Sequence, residues 1–432
     1  MRALILAAGM GKRLSWTDGP KALVRLLGLP LASRAILAAR EAGIREFVVV
    51  VGYKADAVKA TLGDGSSLGV KVSYVENDEW ERGNGVSVLK AESVLGRERF
   101  MLLMADHILL PDIVGKVARS KAPNGASMAV DLSPRKTTIE EATKVLVEGR
   151  LVRAVGKALS QYNSVDIGVI ACGGEIFRAL KLAIERGREE VGDALNILAE
   201  NGQLRAVKFH HPFWFDIDTS EDMQTAKDAL LKNLIKPEDG LVSRYLNRPI
   251  STRISAQLVK TGLTPNQMSA IVFAVTLIAA YFLFLGNYLF LLVGGVLVQL
   301  ASILDGCDGE IARLKFSSTR KGGWIDSVMD RYGDFVIIGA LAYGQWAVEP
   351  GVHWWLLAIF ALAGSYGVSY TSAAFASAFQ KGHPVGGQIP AKRDSRLLIL
   401  AVAASLSFPL FGLIIVGLLG NAEVLRRLLV WP

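Results

Sequence analysis

Cysteine is nearly absent from this chain: Cys172 and Cys307 are the only two among 432 residues. Two thiols so far apart supply no disulfide framework and fit a reducing compartment. No short apolar segment opens the chain. Met1 leads at once into a strand-like run, Arg2 to Leu6, and a glycine loop, so the front half is expected to stay in the cytosol. The net charge is +8, yet the basic residues do not interleave with aromatics. That pattern argues against nucleic acid and for anionic lipid headgroups and phosphorylated substrates. Long apolar runs are also missing before residue 260, whereas the composition as a whole is 51% hydrophobic. With a mean hydropathy of +0.34, the chain reads as a soluble α/β half joined to an all-α polytopic membrane half.

Inside the apolar half lies an acidic cluster. Asp305 and Asp308 have two residues between them and Asp326 and Asp330 have three, so on helices each pair projects from one face. Carboxylates at a membrane edge are costly and are functional candidates by default. Four of them on facing helices would repel one another unless divalent cations sat between them. Asp305, Asp308, Asp326 and Asp330 are therefore expected metal ligands.

In the front half, the strand Arg2 to Leu6 is followed by Ala7-Ala8-Gly9-Met10-Gly11-Lys12-Arg13-Leu14 and then Pro20-Lys21. A glycine turn after a first strand aims backbone N–H groups at a phosphate, and Arg13 and Lys21 add charge that can neutralise a triphosphate. The apolar strand Phe47 to Val51 precedes a short helix, Ala55 to Leu62, and the alternation predicts a parallel sheet covered on both faces. The core strand Phe100 to Met104 ends at Asp106, where ligands bind in open parallel sheets. Glu140 to Leu159 reads as two strands turning at Glu148-Gly149. His107, His210 and His211 read as hydrogen-bonded polar groups, not as metal ligands.

These front motifs resemble the nucleotidyltransferase signature of sugar-phosphate nucleotide synthases, L-A-A-G-x-G-x-R-L followed by P-K. The resemblance implies a Rossmann-like domain in which Ala8, Gly9, Gly11, Arg13 and Lys21 meet the nucleotide. Asn84 and Ser87 would face base and ribose. Asp106 and Asp218 would hold Mg²⁺ (or Mn²⁺), and Lys144, Lys157 and Asp166 would meet the alcohol-phosphate acceptor. The chain departs from the signature at Lys12 and in the longer stretch Trp16 to Gly19.

A linker follows, Asn233 to Gly240, and then an amphipathic basic segment, Leu241 to Thr261, suited to the membrane interface. We assign residues 1–235 to the cytosolic domain, 236–265 to the linker and juxtamembrane helices, and 266–432 to the membrane domain. About six transmembrane helices are expected: Met268 to Leu285, Tyr288 to Leu304, Ser327 to Val348, Trp354 to Phe375, Leu397 to Phe408 and Leu410 to Leu429. The fifth is short for a bilayer. Lys and Arg fall in alternate connections, while Gly286-Asn287 and Glu349 to His353 carry none, which places both termini and the acidic cluster on the cytosolic side.

The acidic stretch matches D-x2-D-G-x2-A-R-x8-G-x3-D-x3-D at every specified position, Asp305 through Asp330. It resembles the CDP-alcohol phosphotransferase family. Membership implies that Asp305, Asp308 and Asp326 hold divalent ions, that Asp330 accepts the proton of the incoming hydroxyl or shares the metal, and that Gly309, Arg313 and Gly322 meet the nucleotide. Lys381, Arg396 and above all Lys392 and Arg393 form a second basic group, expected at the acceptor's phosphate. At RPISTRIS, EATK, SILDGCDGE, VSYTS and AKRD the chain resembles the bifunctional inositol-1-phosphate cytidylyltransferase and di-myo-inositol-phosphate-phosphate synthase family. That implies CTP-dependent formation of a CDP-alcohol, transfer of its phosphoalcohol to a second hydroxyl with release of CMP, and a homodimer in the cell membrane. The alternative is a phospholipid-making CDP-alcohol phosphotransferase with an inactive front domain.

Overall fold

The computed structural model describes residues 1–11, 19–122, 125–135, 139, 142–379 and 391–429. The chain divides into two compact units, Met1–Ala229 and Leu230–Pro432.

The first unit is built on nine strands: β1 (Arg2–Ala7), β2 (Glu46–Val51), β3 (Lys71–Glu76), β4 (Phe100–Met104), then β6 (Ala126–Asp131), β7 (Lys144–Glu148), β8 (Leu151–Gly156), β9 (Ser164–Cys172) and β10 (Leu204–Phe209). Between β4 and β6 comes β5 (His107–Leu109), which pairs antiparallel with β11 (Trp214–Asp216) in a sheet of its own. The large sheet runs β3-β2-β1-β4-β9-β6-β10-β8-β7. Strands β3, β2, β1 and β4 are parallel, as expected. Beyond them the sheet is mixed, because β9 runs antiparallel to both β4 and β6. Alternate residues of each strand go to opposite cores: Leu4, Val48, Val50 and Leu102 to one, Ile5, Val49, Val51 and Leu103 to the other. Both faces are thus covered, and the near-continuous apolar runs follow from that. The hairpin β7–β8 turns at Gly149, as the sequence reading has it.

The second unit is helical. A short turn, Ser243–Asn247, leads into α1 (Arg248–Leu258), followed by α2 (Pro265–Phe284), α3 (Tyr288–Leu314), α4 (Arg320–Val348), α5 (Val352–Phe379), α6 (Arg393–Ser405) and α7 (Pro409–Leu429). Caps mark the starts: Thr264 and Gln267 form a capping box on α2, and Asn287 and Thr319 cap α3 and α4. Four of these helices, α2, α3, α5 and α7, are long and apolar enough to cross a membrane. The expected six spans are therefore matched at four. α4 carries Arg320, Lys321, Asp326, Asp330, Arg331 and Asp334 in its first half, and α6 has only 13 residues. The amphipathic segment presents apolar and small polar residues to different sides. Leu246 and Ile250 are exposed, while Asn247, Ser251, Thr252, Ser255 and Ala256 make the buried face of α1 and its approach.

Candidate active sites

In the first unit the site is assembled at the carboxyl end of β4. Lys21 donates to Asp106 Oδ2 and to Asp218 Oδ1, each at 2.6 Å, and lies 3.9 Å from Asp216 Oδ1. Gly11, at φ +76°, makes room for this lysine: a Cβ there would stand 2.5 Å from Lys21 Cβ. Burial disfavours the Lys21 ammonium, but Asp106, Asp216 and Asp218 outweigh it and hold its pKa above the ordinary lysine range. The turn carrying Asp218 is fixed by Asp222, whose Oδ2 accepts from the backbone N–H of Asp218 and Thr219.

His107 extends this group. Its Nδ1 lies 2.7 Å from the Ile167 carbonyl and its Nε2 3.7 Å from Asp216 Oδ1. Burial works against the charged ring, but the carboxylates of Asp216 and Asp106 push its pKa up to about 9. The ring fits only because residue 168 is glycine, at φ +78°, where a Cβ would meet it at 2.4 Å. Ligand atoms of Asp106, His107 and Asp216 lie within 4.8 Å of one another. With Asp218 held on the same lysine, the donors are mainly carboxylate oxygens, which suits a hard divalent cation.

Asp106, His107, Asp216 and Asp218 line a cavity of about 840 Å³, together with Asn84, Arg135, Lys157, Asp166 and Glu190. Arg135 stacks over the Phe215 ring at 3.7 Å. Asp166 accepts from the backbone N–H of Gly168 at 2.9 Å, and burial raises its pKa to about 6 against the pull of that N–H and of His107. Asn84 is at the cavity while its Oδ1 accepts from Val191 N, at the start of the helix Val191–Glu200. Ser87 is placed otherwise: it is buried and accepts from Asn77 Nδ2 at 2.9 Å. Of the two hairpin lysines, Lys157 lines the cavity and Lys144 lies 5.4 Å from the centre of the Tyr162 ring. Ala8 is buried, with its carbonyl bonded to Tyr53 N, and Gly9 is exposed beside it. Arg13 lies outside the described residues, as does Lys381. Asp216 was missed by sequence reasoning; it ends β11, two residues before Asp218.

In the second unit, α3 and α4 bring the acidic residues together. One carboxylate oxygen each from Asp305, Asp326 and Asp330 lies within 4.8 Å of the others, an all-oxygen set of the kind Mg²⁺ or Mn²⁺ takes. Asp308 is outside that trio. Its Oδ2 accepts from Ser269 at 2.6 Å, and its Oδ1 accepts from the N–H of Gly309. Arg393, expected at the acceptor's phosphate, also reaches the acids: 3.1 Å to Asp305, 2.8 Å to Asp330 and 3.0 Å to Asp334. Asp334 continues the four-residue spacing of Asp326 and Asp330 and was also missed. It is buried, bonded to Ser365 at 2.6 Å and to Arg396 at 3.3 Å.

Arg313 has the feature expected of a ligand-seeking side chain. Its Nε and Nη2 are buried with no hydrogen-bond partner among the described residues, which is costly unless a ligand satisfies them. Gly309 packs beside it, 3.1 Å from Arg313 Nη1 to a notional Cβ, while Gly322 N donates to the Thr319 cap. A second, polar cavity of about 230 Å³ is lined by Asp305, Asp330, Lys392 and Arg393 and by Asp239, Ser243, Asn247 and Ser251. Lys392 donates to the Glu238 carbonyl.

The two units define a nucleotidyltransferase joined to a CDP-alcohol phosphotransferase. Residues 3–233 match the MobA-like NTP transferase domain model, and residues 262–425 match the CDP-alcohol phosphatidyltransferase model. A Rubrobacter xylanophilus protein named "Bifunctional IPC transferase and DIPP synthase" is 39% identical over 99% of this chain and 95% of its own length. An Archaeoglobus fulgidus protein of the same name is 37% identical over 94% of this chain and 79% of its own. Among solved structures, the inositol-1-phosphate CTP transferase from T. maritima is 28% identical, with a TM-score of 0.47 over 52% of this chain and 96% of that one. The chain belongs to the family of bifunctional IPC transferase and DIPP synthase enzymes.

Proposed function

We propose that the first unit couples CTP to an alcohol phosphate, inositol 1-phosphate, and that the second transfers the phosphoalcohol of the CDP-alcohol to a hydroxyl of a second inositol 1-phosphate. The observation that carries this reading is the presence, in one chain, of the Lys21 group and the Asp305, Asp326 and Asp330 trio.

In the first reaction a phosphate oxygen of the alcohol phosphate attacks the α-phosphorus of CTP, and pyrophosphate leaves with the electrons of the broken P–O bond. A divalent ion held by Asp106 and Asp218, with Asp216 in reach, would neutralise phosphate oxygens. Lys21, charged at every ordinary pH, binds the triphosphate. Asp166 and Glu190 can accept hydrogen bonds from a polyol, and Lys157 and Arg135 can pair with its phosphate.

In the second reaction the acceptor hydroxyl attacks the phosphorus that bears the alcohol, and CMP departs with the electron pair of the bond it loses. Divalent ions at Asp305, Asp308 and Asp326 would offset charge on the diphosphate. Asp330 takes the hydroxyl proton. Arg313 pairs with a phosphate oxygen, and Lys392 and Arg393 stand where an acceptor in the 230 Å³ cavity would bring its own phosphate. The four apolar helices support a membrane location for this half, which we assign to the cell membrane with both sites on its cytosolic side.

Mass spectrometry of the product made from CDP-inositol, with inositol phosphate and a lipid alcohol offered in competition, tests the acceptor. A phosphorylated di-inositol diester is expected; a lipid product refutes the assignment.

A further inference from the structure

The sequence Arg248-Pro249-Ile250-Ser251-Thr252-Arg253-Ile254-Ser255 puts Arg248, Ser251 and Ser255 on one face of α1. That face closes on Glu310, which is completely buried. Glu310 Oε1 accepts from Arg248 Nη1 and from Ser251 Oγ, each at 2.7 Å, and Oε2 accepts from Ser255 Oγ at 2.7 Å. The same Arg248 Nη1 reaches the Gly306 carbonyl at 3.3 Å. The rest of the guanidinium is taken by Asp239, at 3.1 and 3.2 Å.

Arg248 therefore grips two successive turns of α3, at Gly306 and Glu310, within the stretch that carries Asp305 and Asp308. At about 100° per residue, the gripped side lies roughly 150° round the helix from the mean direction of those two acids. The grip has its own requirement: a Cβ on residue 306 would stand 2.6 Å from Arg248 Nη1, so glycine at this position is what lets the arginine cross. A buried ion pair is a poor way to gain stability, since apolar side chains of similar volume serve as well or better. Its distinctive property is directional, because the bonds are satisfied at one rotation of α3 and lost when the helix rolls.

We propose that Arg248 and Glu310 are positioning residues that set the rotation of α3 for divalent-cation binding at the acidic trio. This rests on the reading of Asp305, Asp326 and Asp330 as a cation site. Neither Arg248 nor Glu310 touches the cation. They hold the back of the turn so that its front carboxylates face those of α4.

The test is Mn²⁺ binding to the purified full-length protein, without substrate, followed by electron paramagnetic resonance. Asp326→Asn identifies which Mn²⁺ sites belong to the trio. The double variant Arg248→Met/Glu310→Met removes the pair without leaving a lone buried charge. It is expected to melt close to the wild-type temperature, to retain pyrophosphate release from CTP, and to bind Mn²⁺ at the Asp326-dependent sites at least ~10-fold more weakly, in the range seen when groups that orient metal ligands are lost. Unchanged Mn²⁺ affinity at those sites overturns the proposal. Should the double variant not accumulate, Glu310→Gln carries the same measurement and the same two outcomes. No CDP-alcohol is needed, so a wild-type protein that bound Mn²⁺ at the trio but released no CMP would refute the proposed reaction and leave the positioning role standing.

Discussion

Replacing Lys21 by Met separates the electrostatics of the first site from its packing. The ammonium lies 2.6 Å from Asp106 and 2.6 Å from Asp218, with Asp216 at 3.9 Å, and its side chain is only 12% exposed. Methionine keeps most of the volume and removes the charge. Three carboxylates then lose their shared cation, and removing one partner of a largely buried ion pair costs ~3–5 kcal/mol. For a unit of this size each kcal/mol moves the midpoint by ~2–4 °C, so the transition of the first unit should fall by ~6–20 °C in the absence of divalent ions. Mg²⁺ should recover much of that, since a ligand at a hundred times its Kd contributes ~2.7 kcal/mol. In the wild type the lysine already neutralises the same oxygens, and the Mg²⁺-induced rise should be smaller. Calorimetry of the full chain with and without Mg²⁺ checks both, alongside pyrophosphate release, which should drop ~100- to 1000-fold for loss of a charge-stabilising donor. An unchanged midpoint in the variant, or equal Mg²⁺ shifts in the two proteins, would refute the reasoning.

Gly168→Ala should displace His107 and strain a left-handed backbone position, lowering pyrophosphate release while CMP release from supplied CDP-inositol is retained; steady-state assays of the two reactions decide it. Asp166→Asn keeps an acceptor for Gly168 N–H and removes a charge that burial resists. The native carboxyl titrates at about 6 and the unfolded one near ~3.9, so the folded state holds the extra proton between them and wild-type stability falls as pH rises through that window. The variant should lack this fall and be more stable than the wild type near neutrality, by thermal melts across pH. Arg313→Ala should relieve two buried unsatisfied nitrogens, so the thermal midpoint should hold or rise while the KM for CDP-alcohol increases at least ~10-fold, as for loss of a charged hydrogen bond.

Much of this architecture was legible in the residues because it depends on local rules. The strand β1, its glycine turn and Lys21 are contiguous, and the spacing from Asp305 to Asp330 follows helical period. The antiparallel course of β9 was not legible, since its apolar residues look the same in either direction. Asp216, Asp334 and Glu310 were passed over for a different reason. Each acquires its meaning from a partner distant in the chain: Lys21 and His107 for Asp216, Ser365 and Arg396 for Asp334, Arg248 and two serines for Glu310. Arg393 shows the converse. A basic residue among positively charged neighbours reads as a phosphate ligand, and only the fold reveals three aspartates around it. The short α6 and the charge-bearing start of α4 are likewise where the apolar runs of the sequence and the long apolar helices of the described residues part.

The central claim is that two transfers are linked in one chain, and the most direct measurement is the release of pyrophosphate and CMP from CTP and inositol 1-phosphate by the membrane-reconstituted protein with Mg²⁺. The wild type should release the two together, and Asp330→Asn should release pyrophosphate, accumulate CDP-inositol and yield no CMP. Undiminished CMP from the Asp330→Asn protein, or pyrophosphate without CMP from the wild type, would contradict the account.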